Sequence, residues 1–183
     1  MGTFTSIQSN GLSAPPYLFV FFMIILVSWL SDKARLRGPF DAAAAFIAAV
    51  GFILLATCTS TAARYTGTFL ATCIFVCVAI TLSWVSNTHA NESKRGGAYV
   101  ILGTIGQCGP LLGTNVFPPS DAPYYRKGMW VSCASCLMVG FLSISFSLLL
   151  WRENRKMDKG KEISEGLCIP GVPITHRKIR YVI

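Results

Sequence analysis

Two kinds of residue in this sequence have types and spacings suited to chemistry. The first are thiols, seven in all: Cys58, Cys73, Cys77, Cys108, Cys133, Cys136 and Cys168. Cys133 and Cys136 form a CxxC, and Cys73 and Cys77 lie about one helical turn apart. A metal site needs further ligands, yet the two His residues, His89 and His176, fall in a loop and in the tail. Most of the thiols stand in apolar stretches, where Cys acts as a small hydrophobe, so packing is the expected role. No metal and no cofactor is expected. The second group is a charged hairpin, Ser31-Asp32-Lys33-Ala34-Arg35-Leu36-Arg37-Gly38-Pro39. There Arg35 and Arg37 can pair with Asp32 or with the last carbonyls of a helix. The apolar stretches hold no carboxylate pair, His cluster or nucleophile–base pair, so no enzyme is expected. Gln107 is an amide inside an apolar stretch, where a polar group must find a partner.

The elements that carry these residues follow from composition. Of 183 residues, 52% are hydrophobic and 13% are charged, about half the charged fraction of an ordinary soluble domain. Crossing the hydrocarbon core takes about 20 mostly apolar helical residues. Five stretches meet that length: 11–31, 42–60, 66–85, 97–117 and 129–151. None contains Asp, Glu, Lys, Arg or His. Backbone in lipid must satisfy its own hydrogen bonds, as helices or closed barrels do. Barrel strands alternate in polarity, and runs such as Leu18 to Val27 do not. The expectation is an all-α membrane protein with five transmembrane helices. The first stretch lacks a basic n-region, since the first Lys is Lys33, so it reads as a span and not a cleaved leader.

The net charge of +8 is unevenly spread, which argues against nucleic acid as its purpose. Thirteen of the 16 basic residues follow spans one, three or five, and three (Arg64, Arg126 and Lys127) fall on the other side. Basic residues mark the cytoplasmic face. The hairpin and the tail, 152–183, are therefore expected inside and the N-terminus outside. The tail is polar and basic, and the lipid bilayer is the expected partner, with headgroup contact by the tail a smaller addition.

Local signals refine this picture. Pro15 and Pro16 imply either a kink or a late helix start. Gly38 suits a left-handed helix terminus, Pro39 the first turn of the next helix, and Asp41 that same first turn, where a negative charge favours the dipole. Span two carries an alanine face that lets another helix approach closely. Gly103, Gly106, Gly109 and Gly113 lie near one face of span four, a helix-packing surface or a sliding one. The loop from Phe117 to Gly128 is rigid and aromatic.

Several strings then carry a resemblance. They are Ser13-Ala14-Pro15-Pro16-Tyr17, Ser28-Trp29-Leu30-Ser31-Asp32 running to Arg37-Gly38-Pro39-Phe40, Arg64-Tyr65-x-Gly67-x-Phe69-Leu70, and Trp84-Val85-Ser86-Asn87. The longest is Ile105-Gly106-Gln107-Cys108-Gly109-Pro110-Leu111-Leu112-Gly113-Thr114, continued by Phe117-Pro118 and by Asp121 through Gly128. Together they resemble the major facilitator superfamily, and within it the anion:cation symporter branch of fungal permeases, which includes nicotinate and allantoate carriers. The match covers essentially the whole chain.

The resemblance implies a secondary transporter of a small organic anion, coupled to protons, in the plasma membrane. It makes the five spans helices eight to twelve of a twelve-helix fold, so that residues 1–151 form a partial C-terminal six-helix bundle. Asp32, Lys33, Arg35, Arg37 and Gly38 then correspond to an inner-loop motif that locks one conformational state. Tyr17, Thr72, Trp84 and Gln107 become candidates for substrate contact. Substrate sites in such folds lie between two halves, so the chain is expected to be a truncated part unable to transport alone. The spans hold no titratable group for proton coupling. The alternative is a non-transporting membrane protein that pairs with a full-length carrier through the span-four glycines.

Overall fold

The computed structural model describes residues 6–34, 36–88, 92–121 and 124–165. The described elements are α1 (Ser6–Ala34), α2 (Gly38–Thr57), α3 (Thr61–Thr72), α4 (Ile74–Thr88), α5 (Glu92–Gly106), α6 (Cys108–Val116) and α7 (Arg126–Glu165), with a 3-10 turn at Pro119–Asp121. There is no strand among the described residues, as an all-α membrane protein requires.

By length and composition, four helical segments can cross a membrane: Asn10–Ala34, Gly38–Thr57, Thr61–Asn87 and Arg126–Lys156. They contain the first, third and fifth expected spans and most of the second, which starts earlier, at Gly38, and ends at Thr57. The third combines α3 and α4, which meet at a tight turn where the Cys73 N–H donates to the Leu70 carbonyl at 3.1 Å. Thr66, Thr68 and Thr72 each donate a hydroxyl back to a carbonyl of their own helix, a pattern that bends helices.

The expected fourth span, 97–117, is not one continuous apolar helix. It breaks at Gln107, between α5 and α6. Pro110 supplies the reason: it has no N–H, and its ring clashes with the carbonyl four residues earlier, that of Gly106, where α5 ends. Four glycines weaken helix formation further. Neither α5 nor α6 has a buried residue.

The centre of the bundle is α2. It packs against α7, α3 and α4, while α1 lies on α4 and α3. The alanine face read in the sequence makes these contacts: Ala45 and Ala48 are 0% exposed. Small side chains let the axes close up where van der Waals packing drives association. One cluster joins Val20, Ala44, Ala45, Val76, Cys77 and Ile80. A second joins Ala48, Ala49, Cys133 and Cys136, so these thiols pack as expected. Six thiols are free among the described residues. The outer faces are apolar: Phe22, Trp29 and Phe141 are all exposed. On a multi-pass membrane protein, such a surface faces lipid.

Two sequence expectations need correction at the helix ends. Gly38 is not left-handed; it is the first residue of α2. A Cβ there would stand 2.5 Å from Ser147 Cβ and 2.9 Å from Trp84 Cη2. Glycine is needed because three helices meet, not because of a turn. Pro15 and Pro16 lie inside α1 and do not begin it. The last helix also runs past Trp151, to Glu165.

Candidate functional site

The hairpin between α1 and α2 is the first candidate. Asp32 lies in the last turn of α1, and Arg37 is the residue just before α2. The two form a salt bridge in which the Arg37 guanidinium donates to Asp32 Oδ1. Arg37 is buried while Asp32 is mostly exposed. The Ser31 hydroxyl donates to the Leu36 carbonyl at 3.2 Å, and the Arg37 carbonyl accepts from the Asp41 N–H at 3.0 Å. Lys33 lies 5.1 Å from the centre of the Trp29 ring. Thus Asp32, Lys33, Arg37 and Gly38 are held in one compact corner. Arg35 lies outside the described residues.

The second candidate is a cavity of about 470 Å³ lined by Asp41, Thr81, Trp84, Val85, Leu142, Ser143 and Phe146. Helices α2, α4 and α7 supply its walls. Trp84 packs edge-on against Phe146, with ring centres 5.0 Å apart. Asp41 is 1% exposed. Its Oδ2 accepts a hydrogen bond from the Ser143 hydroxyl, and its Oδ1 has no partner. The Cys77 thiol donates to the Asp41 backbone carbonyl at 3.4 Å.

Sequence reasoning placed Asp41 at a helix start and stopped there. It lies inside the crossing segment Gly38–Thr57, so the bundle does hold a titratable group, contrary to expectation. A signal was present: Asp41, Ala45 and Ala48 are spaced at i, i+4 and i+7, which is one helix face. The buried alanine face therefore carries the carboxyl with it. Arg64 was likewise assigned to an outer loop. It is buried in α3, donating to the Leu55 carbonyl at 3.1 Å and stacking on Tyr124 at 5.1 Å.

The four substrate candidates do not converge on one cavity among the described residues. Trp84 alone lines the cavity with Asp41. Tyr17, 55% exposed, projects from α1 beside Phe75 with ring centres 5.9 Å apart. Thr72 is buried, and its hydroxyl donates to the Phe69 carbonyl at 2.8 Å. Gln107 is exposed at the α5–α6 turn. Around Gly103, Gly106, Gly109 and Gly113 a Cβ would meet nothing within 4 Å. That glycine surface is open in this chain.

Comparison with known proteins agrees with the resemblance. The chain is 27% identical over 85% of its length to an uncharacterised transporter of Schizosaccharomyces pombe, covering 32% of that protein. It is 28% identical over 94% of its length to a high-affinity nicotinic acid transporter of Saccharomyces cerevisiae, covering 32% of it. It is 25% identical over 88% of its length to an MFS-type transporter of Penicillium expansum, also covering 32%. The chain thus spans about a third of the length of the curated relatives it matches. No protein-family profile matches the chain. No solved structure matches it either.

Proposed function

We propose that this chain is the C-terminal part of a proton-coupled transporter of a small organic anion such as nicotinate or allantoate, working in the plasma membrane. The observation that carries the reading is similarity over 94% of the chain to a nicotinic acid transporter. The apolar crossing segments agree with it. Substrate sites in such carriers lie between two repeats, and a chain a third as long as its relatives supplies only part of the walls. Transport therefore needs the rest of a carrier.

Within that whole, the Asp32–Arg37 ion pair with Lys33 and Gly38 serves as the inner gate lock. The hairpin joins the ends of two crossing segments, where an ion pair can be made in one conformation and broken in the other. Tyr17, Thr72, Trp84 and Gln107 remain the proposed substrate-side groups. Trp84 lines the Asp41 cavity, whose carboxyl does not favour an anion, so Trp84 has no better support than the other three. The other reading, a non-transporting partner of a full-length carrier, draws on the open glycine surface of α5 and α6.

Uptake of labelled nicotinate in cells lacking their own carrier tests both. The chain alone should give background uptake. A chimera in which it replaces the matching third of the Saccharomyces cerevisiae relative should give saturable uptake. Saturable uptake by the chain alone would overturn the partial-carrier reading. A membrane-inserted chimera without uptake would favour the non-transporting one.

A further inference from the structure

We propose that the Asp41 cavity is a binding site for an organic ammonium: an N–H donor cation carried on a small apolar, preferably aromatic, body. The site stands on its own geometry and does not depend on the transport reading. A buried carboxylate needs compensation on both oxygens. Ser143 compensates Oδ2, while Oδ1 has no hydrogen-bond partner. Yet Asp41 lines a cavity large enough for a small organic molecule.

The surrounding charges supply no counter-ion. The Asp41 side chain and carbonyl meet the Ser143 hydroxyl of α7 and the Cys77 thiol of α4. One turn earlier, at the residue just before α2, Arg37 is engaged by Asp32. The remaining wall is Thr81, Trp84, Val85, Leu142 and Phe146.

This wall decides the class of ligand. A bare metal ion wants a shell of six or more oxygens or a tight set of His and Cys. No group of three or more metal-binding side chains occurs among the described residues. An anion would meet a carboxylate with no cation beside it. A cation with an N–H finds an acceptor in Oδ1, and its charge lies near two aromatic rings, Trp84 and Phe146, which attract cations. Leu142 and Val85 suit an apolar body.

The test is isothermal titration of the full 183-residue chain in non-ionic detergent, with benzylamine as its ammonium ion, benzyl alcohol and benzoate as probes. Saturable binding of benzylammonium is expected, at least about tenfold tighter than the other two, because only it completes a buried charge pair. Asp41→Asn, which keeps the shape, should weaken benzylammonium by a similar factor and leave benzyl alcohol unchanged. Phe146→Leu, at a half-exposed position, should weaken it about fivefold. Equal affinity for the three probes on the unaltered chain would overturn the proposal, as would no saturable binding. Undiminished binding by a helical, monodisperse Asp41→Asn chain would overturn it too. The probe series needs no variant, so a misfolded substitution does not rescue the idea.

Discussion

Gly38 stands where the first turn of α2 meets α4 and α7, and its missing side chain is what lets them meet. A Cβ there would overlap Ser147 and the far edge of Trp84. Overpacking of this kind costs about 1–3 kcal/mol. Gly38→Ala should therefore lower the midpoint of thermal unfolding in detergent. Gly96→Ala is the control, since a Cβ there meets nothing within 4 Å and alanine is the better helix former; it should leave the midpoint unchanged or raise it. Circular dichroism on the three chains reads both effects, and equal loss at the two sites would refute the crowding argument. The sequence made Gly38 visible as special but suggested a turn, because a Gly-Pro pair after a basic run carries a turn signal. What it cannot display is the neighbour 109 residues later, Ser147. Long-range crowding has no local pattern. Asp41 was legible in part: its spacing from the alanines put it on their face, but only packing showed α4 and α7 closing over it.

At the scale of elements, length and apolar run located the four crossing segments well, and local chain chemistry decided where they bend or stop. The α5–α6 break is the clearest case. Pro110 and the glycines were all visible in the sequence, and the break at Gln107 sits three residues before the proline. An uncharged run was read as a span because charge, not helix continuity, was the criterion. Pro110→Ala should restore the missing amide donor and join α5 to α6. Hydrogen–deuterium exchange would then show slower exchange between Gln107 and Leu111 than in the unaltered chain. Unchanged exchange would mean the glycines alone hold the break. The same arm carries Cys108, which is exposed, whereas Cys77, Cys133 and Cys136 are buried. N-ethylmaleimide followed by mass spectrometry should modify Cys108 well before those three, because burial blocks access to the thiol.

On the scale of the whole molecule, two independent lines sort the chain ends to opposite faces. The charge count puts thirteen of 16 basic residues after spans one, three and five. The packing groups the same regions without reference to charge. Gly38 beside Ser147 and Trp84 brings the α1–α2 hairpin, the end of α4 and the late part of α7 to one end of the bundle. At the other end Arg64 joins Leu55 and Tyr124, and Tyr65 donates to the Leu12 carbonyl at 3.3 Å. That end gathers the α2–α3 connection, the turn before α7 and the early part of α1. If the bundle spans the bilayer in this way, accessibility tags in the 35–37 hairpin and after residue 156 should report the same, cytoplasmic, face. Tags at 58–60 and at 117–121 should report the opposite one. The prediction is sensitive to α5 and α6. Were that arm to lie along the surface without crossing, α7 would have to start from the face where α4 ended. The hairpin and the late part of α7 would then fall on opposite sides of the membrane, although Gly38 and Ser147 touch. A helix that meets its neighbour at that end cannot be reversed without breaking the contact, so this orientation requires the arm to cross, broken or not. Tags showing the two loops on different faces would therefore undo the packing of α2 on α7 as well as the orientation.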